Sequence, residues 1–214
     1  MGDLYSKNYL QTYKNLSFIN PMKYIYLLES FLIKRVENKN FNEFDRIILF
    51  SKNEIKTISQ NFQKKIFHIT ESVEKLNKNK FIFSKKNFKI LFIGNLNYLP
   101  NKIACRDFAI NILPKLNKEF PSLQFHIIGN ISKYDQKILS KINNVKVLGA
   151  RKKLDRFMKN VICGLSNLKI ASGVQGKILT YMSFGLPVIC SKQTGSNFHN
   201  YVISYKQDND LIKK

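Results

Sequence analysis

The feature that most constrains this chain is an alternation running from residue 88 to residue 205. Short apolar segments read as strands at 88–93, 123–128, 145–148, 161–165, 188–190 and 201–204. Helical patterns fill the gaps at 102–118, 132–142, 153–159 and 174–184. Three of the strands run into glycine, at Gly94, Gly129 and Gly149. Strand, glycine and helix repeated in this way predict an α/β fold built on a doubly wound, Rossmann-like parallel sheet. Such sheets take ligands beyond the carboxyl ends of their strands. The loops at 94–101, 129–131, 149–152 and 166–175 are therefore expected to line one crevice.

The region ahead of this sheet reads as a smaller piece of α/β structure. Pro21 opens a helical pattern with Met22, Tyr26, Leu27, Phe31 and Ile33 on its apolar face, ending near Asn38. A buried strand is expected at 46–50 and another at 65–69, with a helix over 52–62 between them. Ser51 suits that helix as a cap, with Glu54 at the third position. Two strands are too few to close a parallel sheet covered on both faces. Residues 74–87, rich in Lys, Asn and Ser, read as a solvated linker. The domain expectation is thus 1–87 for a partial domain with its linker, and 88–214 for the complete sheet.

Composition narrows the function classes. The chain has 214 residues, of which 44% are hydrophobic, enough for a sizeable core. No apolar run approaches the roughly 20 residues that span a bilayer, and the start lacks the pattern of a signal peptide. Cys105, Cys163 and Cys190 sit singly in apolar segments, and His68, His126 and His199 are scattered. That excludes a disulfide scaffold and gives no metal-ligand spacing. The formal net charge is +22, from 36 Lys+Arg against 14 Asp+Glu. Such a surplus suits a polyanionic partner. The basic residues are chiefly Lys, however, and Asn, Ile and Phe are also over-used, as an AT-rich coding sequence produces. Nucleic-acid surfaces favour Arg forks with interleaved aromatics, and no such patch is present.

Two loops could carry chemistry. In Leu165-Ser166-Asn167-Leu168-Lys169-Ile170-Ala171-Ser172-Gly173-Val174-Gln175-Gly176-Lys177, a strand enters a glycine-bearing loop and a helix then opens. Amide donors and the positive end of a helix dipole bind phosphate, and Gly173 permits close backbone approach. Lys169 and Lys177 could each bring a point charge to a diphosphate; the bland alternative is that Gly173 only turns the chain and both lysines are solvated. In Phe92-Ile93-Gly94-Asn95-Leu96-Asn97-Tyr98-Leu99-Pro100-Asn101, a strand ends at a single glycine, which is not the dinucleotide fingerprint.

These residues carry a resemblance. Gly94 to Asn101, Ile112-Leu113-Pro114, Ile127-Ile128-Gly129 and the run from Ser172 through Ile189 resemble the donor-binding half of GT-B glycosyltransferases of family 4. The nearest subgroup reads G-x-x-x-Y-x-P-N after its first strand and G-[IV]-Q-N-K-[IV]-L-E-A-M later. The resemblance covers about residues 88–205. Asp3, Ser6 and residues 44–51 resemble, less specifically, the end of the family's N-terminal, acceptor-side domain. The family places two glutamates eight positions apart at the later motif, on the sugar and the nucleotide ribose. Here those positions hold Ser172 and Thr180. Glu29 and Glu37 are also eight apart, but no glycine loop precedes them. They are expected on a solvated helix face beside Lys34 and Arg35.

The resemblance implies a retaining glycosyltransferase, or a fragment of one. Such an enzyme moves a sugar from a nucleotide diphosphate sugar to a glycan or lipid-linked acceptor in cell-surface polysaccharide synthesis. It implies donor contacts at Gly94, Asn95, Lys169, Gly173, Val174, Gln175, Lys177 and Thr180, without a metal or cofactor. Lys169 and Lys177 would stabilise the departing diphosphate. The acceptor-side sheet is incomplete, so no residue is assigned as a catalytic base, and the chain alone is expected to transfer no sugar. The family's setting implies a cytoplasmic protein, peripheral at the inner face of the cytoplasmic membrane and in contact with anionic lipid. A separately encoded N-terminal half would complete it. The competing reading is an inactive, truncated paralogue that at most binds a nucleotide diphosphate. A nucleic-acid-binding protein rests on charge alone.

Overall fold

The computed structural model describes residues 3–72 and 88–213, and the expected linker at 74–87 lies outside them. The chain divides into two units. The first is Met1–Ser72 with Lys169–Gln175, and the second is Val73–Leu168 with Gly176–Lys214.

In the first unit, α1 (Tyr5–Asn15) and α2 (Met22–Glu43) precede β1 (Ile47–Leu49), the single-turn helices α3 (Lys52–Ile55) and α4 (Gln60–Gln63), and β2 (Ile66–His68). β1 and β2 form a two-stranded parallel sheet. Its inward side chains, Ile47 and Leu49, pack with Leu4, Phe41 and Ile58. On the outward face, Ile48 and Phe67 are exposed. The expected helix over 52–62 is broken in two. Ser51 does cap α3, accepting from the Glu54 amide at 3.3 Å. The Thr57 hydroxyl then donates to the Glu54 carbonyl, competing with helical bonding.

α2 corrects two expectations. Met22 and Phe31 are exposed, whereas Ser30, Glu37 and Phe41 are buried. Glu37 is no solvated residue beside Lys34 and Arg35. Its carboxylate accepts from the Ser6 amide at 3.0 Å and from the Ser6 hydroxyl at 2.5 Å. It thereby satisfies the amino end of α1, where unpaired N–H groups and the helix dipole favour an anion.

Among its described residues the second unit carries six strands: β3 (Lys89–Ile93), β4 (Gln124–Ile128), β5 (Val145–Gly149), β6 (Val161–Ser166), β7 (Val188–Ser191) and β8 (Ile203–Tyr205). Their order is β5-β4-β3-β6-β7-β8. Every pairing is parallel. This is the expected doubly wound sheet, with its order reversing between β3 and β6. α5 (Leu99–Asp107) runs through a π turn, Phe108–Ile112, into α6 (Leu113–Glu119). The π turn leads into Pro114, which has no N–H to give to an α-helical bond. Phe108 from this turn packs on Phe125 of β4, ring centroids 4.6 Å apart, inside a core that includes Leu91, Phe92 and Ile127. The helix expected at 153–159 is only a 3-10 turn at Asp155–Phe157. α7 (Lys133–Leu139) and α8 (Gly176–Ser183) fall where expected, followed by α9 (Lys192–Gly195) and α10 (Asp208–Lys213).

Candidate functional site: the crevice where the strand order reverses

The carboxyl ends of β3, β4 and β5 are tied together by backbone bonds. The Gly94 amide donates to the Ile128 carbonyl at 2.9 Å, and the Gly129 amide to the Gly149 carbonyl at 3.0 Å. The Leu96 amide donates to the Asn130 carbonyl at 2.7 Å. Gly129 sits at φ +148°, and a Cβ there would overlap the Gly94 carbonyl. Two glycines therefore let the first two loops touch through their backbones, which no side chain would permit.

From Gly94 the chain turns sharply. The Asn95 side chain accepts from the Asn97 amide at 3.0 Å, and Asn95 itself is exposed. Asn101 then joins this loop to α8. Its amide nitrogen donates to the Asn95 carbonyl at 2.9 Å, and its side-chain oxygen accepts from the Lys177 Nζ at 2.5 Å. The Lys177 amine also lies over the Phe92 ring, 4.1 Å from the centroid. Burial pushes that amine down to about 7. A cation on an aromatic face beside one amide oxygen is poorly hydrated, so a bound anion would displace little water from it. Gly94, Asn95 and Lys177 are thus brought together through Asn101. Thr180 follows one turn along α8, its hydroxyl donating back to the Gly176 carbonyl at 3.0 Å.

The remaining expected donor residues lie in Lys169–Gln175, which belongs to the first unit. Lys169 is exposed, and Val174 is half-buried. The Gln175 side chain donates to the Ser172 carbonyl at 2.8 Å. Gly173, at φ +64°, gives its amide to Glu54 Oε1 at 2.9 Å. Glu54 Oε2 accepts from the Leu4 amide at 3.2 Å. One carboxylate therefore holds two amides that are far apart in sequence, and the Gly173 amide is already committed to it. The Asp3 carboxylate fills the space a Cβ at Gly173 would take. Burial raises both acids, and the Asp3 charge raises Glu54 further against the pull of its amide partners and Lys7. The segment is pinned elsewhere too. The Ala171 amide donates to the Gln11 side chain at 2.9 Å, and the Asn8 side chain to the Ser172 hydroxyl at 3.2 Å.

Glu54 and Asn101 were not among the site residues expected from sequence. Asn101 follows directly on the glycine loop's Tyr98 and Pro100, so its place in the motif was the available signal. Glu54 gave none beyond its position as a capping residue. Among the described residues no group of three His, Cys, Asp or Glu side chains could hold a metal ion.

A six-stranded parallel sheet with a crevice where its order reverses defines the class of α/β domains that take ligands at the carboxyl edge. Within that class the chain belongs to the family glycosyl transferases group 1, whose family model matches residues 87–213. A search of curated proteins finds no match. Among solved structures, the chain superposes on TarM with a TM-score of 0.66 at 18% identity, over 85% of this chain and 38% of TarM. It superposes on HepE from Anabaena, in complex with UDP and glucose, with a TM-score of 0.63 at 16% identity, over 85% of this chain and 56% of HepE. WaaG, a glycosyltransferase involved in lipopolysaccharide biosynthesis, gives a TM-score of 0.54 at 12% identity, over 78% of this chain and 52% of WaaG. These likenesses show the GT-B fold, and the chain spans 38% of TarM and 56% of HepE.

Proposed function

We propose that the second unit binds a nucleotide diphosphate sugar and serves a glycosyltransferase that passes the sugar to a glycan or lipid-linked acceptor. The observation that carries this reading is the Lys177 amine, fixed by Asn101 and Phe92 beside the Gly94 loop at the reversal of strand order. A fixed, partly desolvated cation is what a departing diphosphate requires, because it stabilises developing negative charge without reorganising. Family membership supports transfer chemistry. HepE with UDP-glucose, and TarM from S. aureus with UDP and α-GlcNAc-glycerol, support the donor class and a glycan-like acceptor. The part played by WaaG supports a role in cell-surface polysaccharide synthesis.

In this reading Gly94 and Asn95 bound the nucleotide, Lys177 holds the diphosphate and Thr180 lies toward the ribose. Lys169, Gly173, Val174 and Gln175 lie in the first unit, where the Gly173 amide is held by Glu54. The lysine surplus suits a cytoplasmic protein held at the anionic inner face of the membrane. Calorimetry with UDP-glucose, UDP, GDP and ADP tests the reading. Binding by wild type that Lys177→Ala abolishes is the expected result. A wild-type protein that binds none of the four overturns it.

A further inference from the structure

The two strands that flank the reversal do not stay paired to their ends. β3 and β6 pair at Lys89↔Val161 and, after a register shift that skips Ile162, at Ile90↔Cys163 and Leu91↔Gly164, and the pairing stops there. Beyond that point the Ile93 amide has no partner on β6. It donates instead to the Tyr181 hydroxyl, at 2.7 Å. The same hydroxyl donates to the Leu165 carbonyl of β6, at 3.1 Å. One phenol oxygen thus stands in for the missing strand-to-strand bond, accepting from one strand and giving to the other. The ring below it is fully buried and covers Gly164, where any Cβ would collide with it.

We propose that Tyr181 is a positioning residue of the donor site. Wedged between the carboxyl ends of β3 and β6, it sets the width of the crevice and the orientation of Lys177. The inference rests on the donor reading above. Tyr181 and Lys177 are four residues apart on α8 and so lie on one helix face. Anchoring the helix to both strands at Tyr181 fixes the distance over which the Lys177 amine meets Asn101 and Phe92. Gly94 follows Ile93 directly, so the bond to the Ile93 amide also places the start of the glycine loop. Burial raises the Tyr181 phenol well above its ordinary value, so it stays protonated and able to donate to Leu165. Gly164 is the counterpart of the wedge: a central strand position without a side chain, because the ring occupies that space.

Three measurements on the full chain test this: exchange of the Ile93 amide, UDP-glucose affinity and melting temperature. Tyr181→Phe keeps the ring and removes the hydroxyl. Its Ile93 amide should exchange at least about tenfold faster, while the Leu91 amide, still paired, is unchanged. UDP-glucose affinity should fall roughly three- to tenfold at a temperature where the variant is fully folded. Gly164→Ala, which displaces the ring, should reproduce both effects with the hydroxyl present, and adding Tyr181→Phe to it should cost nothing more. Faster Ile93 exchange with unchanged affinity would reduce Tyr181 to a structural role and overturn the proposal. So would unchanged Ile93 exchange in Tyr181→Phe. If the wild type binds no UDP-glucose, the donor reading fails, and Ile93 exchange alone decides whether the wedge exists. Should Gly164→Ala fail to fold, Tyr181→Phe carries the test.

Discussion

Donor affinity should depend on pH through Lys177. With its amine pushed down to about 7, this lysine is about nine-tenths charged at pH 6 and about one-tenth charged at pH 8. UDP-glucose is the suitable probe, because its diphosphate is esterified at both ends and keeps its charge over this range. If binding requires the ammonium form, affinity is flat below pH 6 and falls about tenfold per unit above pH 7. Between pH 6 and 8.5 the loss is roughly thirtyfold. Binding at pH 8 should draw close to one proton from solution, since the anion restores the amine's charge. Calorimetry at constant ionic strength, in two buffers of different ionisation enthalpy, reads both quantities. Lys177→Met keeps the stem over Phe92 and should bind weakly at every pH. A flat wild-type profile, or the same slope in Lys177→Met, would refute the argument.

Thr180→Glu, which places a carboxylate where the ribose hydroxyls are expected, should tighten UDP binding by about tenfold or more in the same calorimetric assay. Glu54→Gln should destabilise the first unit by about 1–3 kcal/mol, read by thermal melting, and speed exchange at the Leu4 and Gly173 amides. Because Glu54 is raised above its ordinary 4.5, the folded chain keeps a proton that the unfolded chain loses just above that value. Its contribution therefore falls as pH rises through that window, and the variant should lose this dependence. Asp135 is buried, bonded to the Ser132 hydroxyl and ion-paired with Lys102 at 2.9 Å and Arg106 at 2.6 Å. Burial opposes its charge, but these partners outweigh it and hold the carboxyl below its ordinary 3.8, so its stabilisation is lost as pH falls below that value. Asp135→Asn should cost about 2–3 kcal/mol in urea unfolding at pH 7, since both cations remain about a third exposed.

The second unit was legible because its strands are short apolar runs closed by glycine or polar turns, a local pattern that survives without tertiary context. Gly94, Gly129 and Lys177 stood out for the same reason. α1 was not legible. Its sequence, YSKNYLQTYKN, has little apolar stripe, and its start is held by Glu37, 31 residues away. Glu37 itself looked like a solvated residue because a buried carboxylate is recognised by its donors, which are distant. The bond between Glu54 and Gly173 spans 119 residues and leaves no trace in either local pattern. Tyr181 carries no local signal of its own. Only the mismatch between β3 and β6 gives its hydroxyl a task.

The outward face of the first unit's two strands has a practical meaning for handling the protein. Among the described residues β1 and β2 pair as a ribbon with no third strand, and Ile48 and Phe67 are turned toward solvent. The Arg46 guanidinium, parked 5.6 Å from the centre of the Phe67 ring, supplies local charge that discourages stacking of one ribbon on another. Mutual repulsion among molecules carrying a formal +22 does the rest. Salt screens that repulsion but leaves the stickiness of the ribbon intact. Light scattering should therefore show the protein dispersed in dilute buffer and clustering as salt is added, the reverse of the salting-in familiar from most basic proteins bound to polyanions.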